Sequence, residues 1–195
     1  MFIGIDLAGS EKRPSGLCIL NGNKYITKIL YSDKEILDCI TKTKKVKVVA
    51  IDAPLSLPYG KTLTSKNCTR LCDKELTKRK IKYFPINFAG MKMLTERGMK
   101  LKKDIFEKYR NKNKKIEVIE TYPGACYDIL KISRKDKHRA DKLLKILKLE
   151  PKKKALTDDE IDAIMCSFVA REYFYNRALK LGKNDEVLFL IPDMP

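Results

Sequence analysis

The chain has 195 residues, 44% of them apolar, which allows one domain with a proper buried core. Its 42 Lys and Arg against 25 Asp and Glu leave a formal net charge of +17, a balance that favours polyanionic partners. No window approaches the roughly 20 consecutive apolar residues of a membrane span, and Met1 leads into a strand-like run without a basic leader, so a cytoplasmic protein with no membrane partner is expected.

Taken in chain order, residues 2–6 (FIGID), 16–20 (GLCIL) and 25–31 (YITKILY) read as three strands. Asn21-Gly22-Asn23 between the second and third signals a hairpin, because tight turns need φ > 0 and Asn-Gly tolerates it. A helix over 33–43 and a strand over 46–52 (VKVVAID) follow. This β-β-β-α-β order implies an antiparallel opening and a helical crossover to a parallel strand.

Residues 53–115 break the alternation. Pro54, Pro58 and Gly60 mark a loop, a basic helix is expected over 66–80, and after Phe84-Pro85 another over 90–112. This predicts a mostly helical insertion into a single domain spanning 1–195. The charge concentrates here: residues 61–115 hold 18 Lys and Arg against 5 Asp and Glu, which is +13 of the total. A generally Lys-rich composition is the plainer explanation, but concentration in one segment argues for a nucleic-acid partner.

A strand over 116–121 (IEVIET), a Pro-Gly turn, a short helix over 124–131 and a basic helix over 137–148 come next. The last helix is expected over 158–181, opened by the capping box Thr157/Glu160 and closed at Gly182. The apolar run 187–191 (VLFLI) suits a short final strand. The six cysteines are scattered and read as buried thiols. Cys68 and Cys72 form a C-x3-C without the second pair or histidine of a zinc site.

The acids carry the chemistry. Asp6 and Asp52 each end an apolar strand, where a carboxylate is costly unless partnered. The plainer reading of Asp6 is a cap on the following turn, and that of Asp52 a loop-entry residue satisfied by local amides, yet two such residues in one sheet are harder to dismiss. Glu120 closes a third strand; Glu117, three residues earlier, points to the opposite face, so at most one of them joins a site. In the last helix Asp158 and Asp159 suit the macrodipole, whereas Asp162 lies a turn inside, ahead of Met165, Cys166 and Val169 on its own face. Asp159 shares that face three residues earlier. Clustered carboxylates of this kind suit a hard divalent cation, Mg2+ or Mn2+.

The constellation resembles the RNase H-like superfamily, and the segment Asp159-Glu-Ile-Asp162-Ala is similar to the last catalytic helix of Holliday-junction resolvases of that fold. More closely, the chain resembles domain-of-unknown-function family 429, predicted RNase H-like nucleases, through GIDLAGS and the SGL after it, VVAIDAPLSLP, RLCDKELTKRKIKYFP, VIETYPGA, DEIDAIMCS and the terminal LIP. The resemblance implies an α/β fold, an RNase H-like mixed sheet flanked by helices with the basic helical insertion. It also implies a two-metal nuclease, with ions about 4 Å apart at the scissile phosphate. Asp6 would bridge both ions, Asp52 would hold one, and Asp162 with Asp159 the other. Glu120 would be a ligand or a supporting base. Arg70, Lys74, Arg79 and Lys82 would grip the nucleic-acid backbone without reading sequence. Tyr83 and Phe84 either stack a base or pack the core. His138, the single histidine, reads as a solvated helix residue, with a proton shuttle as the alternative.

Two other functions fit parts of the pattern. Actin-like phosphotransferases also begin with an apolar strand, an Asp and a Gly-containing hairpin. Here, however, Gly9 comes one residue late, and the second loop is Asp52-Ala-Pro-Leu-Ser-Leu-Pro rather than Gly-rich. A non-catalytic nucleic-acid binder on a degenerate fold is the remaining alternative.

Overall fold

A computed structural model of the chain describes residues 1–111, 115–151 and 155–192. Seven strands form one mixed sheet in the order β3-β2-β1-β4-β5-β7-β6. Strands β1 (Phe2–Asp6), β2 (Ser15–Asn21) and β3 (Lys24–Leu30) open it as an antiparallel meander. Its hairpin turns on Gly22 at φ +63, a position glycine reaches without steric cost. Helix α1 (Asp33–Lys42), capped by a Ser32/Glu35 box, crosses to β4 (Val48–Asp52), which runs parallel to β1.

The three central strands, β1, β4 and β5 (Glu117–Thr121), are parallel to one another. Both faces are covered, which is why their sequences are nearly continuous apolar runs. One face packs Ile3, Ile5, Val49 and Ile51 against Ile36 and Ile40 of α1 and against Leu101 and Ile105 of α3 (Ala89–Arg110). The other packs Phe2, Val48, Ala50 and Ile119 against α4 (Pro123–Leu130), α5 (Arg139–Ile146) and α6 (Asp158–Phe174).

Within the segment expected to be mostly helical, helix α3 forms a layer of the domain, and its buried Arg97 binds Asp33 at 2.8 Å and the carbonyls of Ala8 and Tyr31, both at 2.7 Å. This clamps the loop that follows Asp6. Helix α2 is shorter than expected, Leu71–Lys78, and packs on β6 (Leu179–Lys183) and β7 (Glu186–Leu190).

The last helix is also shorter. It ends at Phe174, where Asn176 at φ +56 turns the chain out toward β6. Gly182 is therefore no helix cap. It lies inside the β6–β7 hairpin at φ +82, where a Cβ would come within 2.0 Å of the Glu186 carbonyl oxygen. No helix among the described residues is long and apolar enough to cross a membrane.

Candidate active site

Register brings the first two acids together. Asp6 pairs with Asp52 across β1 and β4, and Asp52 pairs with Thr121 across β4 and β5. Side chains at matched positions of adjacent strands share a face, so Asp6, Asp52 and Thr121 form one row at the carboxyl ends of the central strands. The row lies on the α6 side, as the packing of Phe2, Val48 and Ile119 two or four residues earlier shows.

Two glycines bring α6 onto this row. A Cβ at Gly4 would fall 2.1 Å from the Ser167 nitrogen and 2.2 Å from the Ala163 oxygen; one at Gly16 would fall 2.0 Å from the Asp159 oxygen. Gly16 is itself the antiparallel partner of Asp6. The helix backbone thus rests directly on β1 and β2, which places Asp159 and Asp162 beside Asp6. The Thr157/Glu160 box fixes the start of α6, with Glu160 Oε1 also accepting from the Thr27 hydroxyl at 2.6 Å.

The acids affect one another strongly. Burial, then the charges of Asp162 and Asp159, push the Asp6 carboxyl up to about 8. Burial, then Asp6, Asp162 and Glu120, hold Asp52 well above the usual carboxylate range, with Arg134 opposing. Asp159 is raised by burial and by Asp158. Among the described residues neither Asp6 nor Asp52 receives a hydrogen bond or ion pair, yet both are only partly buried and so open to a ligand.

Asp162 is engaged differently. Its Oδ1 accepts from the Tyr127 hydroxyl at 2.6 Å and lies 3.6 Å from Arg139, which bonds Asp158 at 3.0 Å and stands over the Tyr127 ring. Burial raises Asp162, while Tyr127 and Arg139 pull it down. Nothing in the sequence marks Tyr127 or Arg139, since their role depends on three helices meeting.

Glu120 stands apart from the row. One position before Thr121, it faces the α3 side, where its Oε2 accepts from the Leu55 amide and the Arg70 guanidinium, both at 2.7 Å. Arg70 also binds Asp73, at 2.9 Å. Burial works against the Arg70 charge, but Glu120 and Asp73 hold it protonated; burial in turn raises Glu120 despite Arg70. This corrects the expectation for Arg70: it is buried in a charge triad and cannot grip a nucleic-acid backbone. The triad anchors the loop after Asp52.

Of the other expected cations, Lys74 and Arg79 are exposed at α2 and its C-terminal cap, and Lys82 is exposed in the following loop. Lys82 borders a hollow near the acids, a groove of about 1050 Å3 shared with Lys80, Arg134, Tyr83, Phe84 and Tyr122. A smaller cavity of about 160 Å3 adjoins it, reaching Asp52, Glu120 and Thr121. Phe84 is 67% exposed, against the core-packing reading, whereas Tyr83 is half-buried. His138 is exposed ahead of α5. Another hollow, of about 750 Å3, lies by Glu117 at the opposite end of β5 and includes none of the row.

The all-oxygen donors, with the half-buried carboxylates of Asp6 and Asp52 left without donors among the described residues, suit Mg2+ or Mn2+ rather than a soft metal. No three His, Cys, Asp or Glu side chains among the described residues are gathered closely enough to hold an ion as they stand, Asp162 being turned to Tyr127. All six cysteines are buried free thiols.

A family model described as "Protein of unknown function (DUF429)" matches residues 4–186. No curated protein and no solved structure matches the chain.

Proposed function

Because the chain belongs to the DUF429 family of proteins of unknown function, its chemistry must be read from its own side chains, and we propose that it is a divalent-metal-dependent nuclease hydrolysing phosphodiester bonds of nucleic acid. One observation carries this reading: Asp6 and Asp52 stand in register on adjacent central strands, without donors, beneath an α6 that adds Asp159 and Asp162. Such a cluster is costly to a fold unless a cation or protons compensate it. The RNase H-like resemblance of the sequence supports the same assignment.

Asp6, Asp52 and Asp162 would hold the metal, with Asp159 alongside. A pair of Mg2+ or Mn2+ ions supplies compensation for the phosphate charge and lowers the pKa of an attacking water. Asp6 and Asp52 must then be ionised, which burial, and then the charges of neighbouring acids, resist in the absence of cation. Tyr127 and Arg139 orient Asp162. Glu120 acts at a distance, holding Leu55 and Arg70 and thereby the loop after Asp52. Lys82 and Arg134, on the groove wall, face the polyanion.

The test is incubation of labelled single-stranded, duplex, hybrid and branched substrates with Mg2+ or Mn2+, using Asp6→Asn as control. Cleavage of at least one substrate is expected, reduced by at least about 100-fold in the variant, as for loss of a group that stabilises developing charge. No cleavage on any substrate, or equal cleavage by both proteins, overturns the proposal.

A further inference from the structure

The 160 Å3 cavity beside Asp52 is small for a folded ligand but matches one six-membered ring: a cavity of about 150 Å3 accommodates benzene. Its lining includes Tyr83, Phe84, Tyr122, Met91, Leu188 and Thr121. Besides the buried Thr121 hydroxyl, which neighbours the Cys126 thiol, the cavity meets Asp52 and the side chains of Arg70, Asp73 and Glu120, polar groups that can hydrogen-bond a ring edge. Flat aromatic walls with a few polar side chains among them suit a planar heterocycle with polar edges.

The adjoining groove indicates what that heterocycle is attached to. Tyr83, Phe84 and Tyr122 border both hollows. Beyond them the groove carries Lys80, Lys82 and Arg134 against a single acid, Asp128. Lys80 and Lys82 are exposed, and Arg134 stands over the Tyr122 ring at 5.7 Å. A cationic groove edged with aromatics is the pattern of a channel for single-stranded nucleic acid. A duplex keeps its bases stacked inside and presents none to such a cavity.

Resting on the nuclease reading for its substrate, we propose that this cavity takes one unstacked pyrimidine base of a single-stranded nucleic acid, whose backbone runs along the Lys80/Lys82/Arg134 groove. The base would dock next to Asp52, so the phosphate beside it reaches the acid row. A bicyclic purine is longer than the single ring that a cavity of about this size is known to hold.

The experiment measures binding alone. Fluorescence anisotropy follows the Asp6→Asn protein in EDTA with labelled thymidine and uridine strands, an adenine strand, a thymidine strand lacking its bases, and a duplex. The base-less strand keeps the backbone charge, so its deficit isolates the base. The tighter of the thymidine and uridine strands is expected to bind at least roughly ten-fold better than the base-less and adenine strands. Met91→Trp, which fills the cavity from a partly exposed position, should lower that strand to the base-less level and leave base-less and duplex binding unchanged. Equal binding of base-bearing and base-less strands, equal binding of adenine, or a uniform loss in Met91→Trp would overturn the proposal. Base-dependent binding by a protein that cleaves nothing would leave the cavity assigned and remove the nuclease. Metal-dependent cleavage without base dependence would do the reverse.

Discussion

The behaviour of Asp6 links site and stability. Its carboxyl titrates at about 8 in the fold and near 4 in an unfolded chain, so between those values the folded protein binds more protons. Stability therefore falls as pH rises across that window. Thermal melts in EDTA should show Tm declining from pH 5 to pH 8. Asp6→Asn should flatten the decline and melt roughly 2–4 °C above the parent at pH 8, a modest figure because Asp6 is partly solvated. Saturating Mg2+ should stabilise the parent at pH 8 but not the variant. An unchanged slope in the variant would remove Asp6 from the acid cluster. At this scale the sequence is legible where a carboxylate ends an apolar strand, as at Asp6 and Asp52. It is misleading at Glu120, because a one-residue step along a strand reverses the face, and the partner that claims Glu120, Arg70, lies fifty positions away.

At the scale of elements, the seat of α6 on β1 decides where Asp159 and Asp162 stand. Gly4→Ala would drive a methyl into the backbone of Ala163 and Ser167, atoms that cannot rotate away. A loss of about 3 kcal/mol or more is expected, at the upper end of overpacking costs, read from the urea midpoint. A neutral Gly4→Ala would show that α6 does not rest on β1 at this position. The strands β1 to β5 and the start of α6 follow from apolar runs and a capping box, which are local signals. The end of α6 does not: Arg177-Ala178-Leu179-Lys180 suits a helix, yet Asn176 at φ +56 breaks it and Arg177 folds back onto Glu172 at 2.7 Å. The expected end at Gly182 fails because a glycine marks a positive φ without saying whether a helix or a hairpin needs it.

At the scale of the whole molecule, the net charge of +17 makes polyanion binding strongly salt-dependent. If Lys80, Lys82 and Arg134 neutralise the strand, log affinity should fall against log salt with a slope of roughly −2, about 0.7 per contact. Lys80→Ala should shallow the slope by about one such step, and a salt-independent affinity would exclude the groove as the binding surface. In the basic segment 61–115 the charge and the long helix are legible, but not that this helix forms a layer of the core. Its long helix contributes Leu101, Ile105 and Tyr109 to the core, because two parallel strands need a crossover and only burial reveals which helix supplies it. The glycine seat has one more consequence. Side-chain rotamers can relax by degrees, but at Gly4 and Gly16 no side chain stands between helix and sheet to yield. The separation between Asp6 and the acids of α6 is therefore set by main-chain contact, and the cluster should hold together on warming until the helix leaves the sheet.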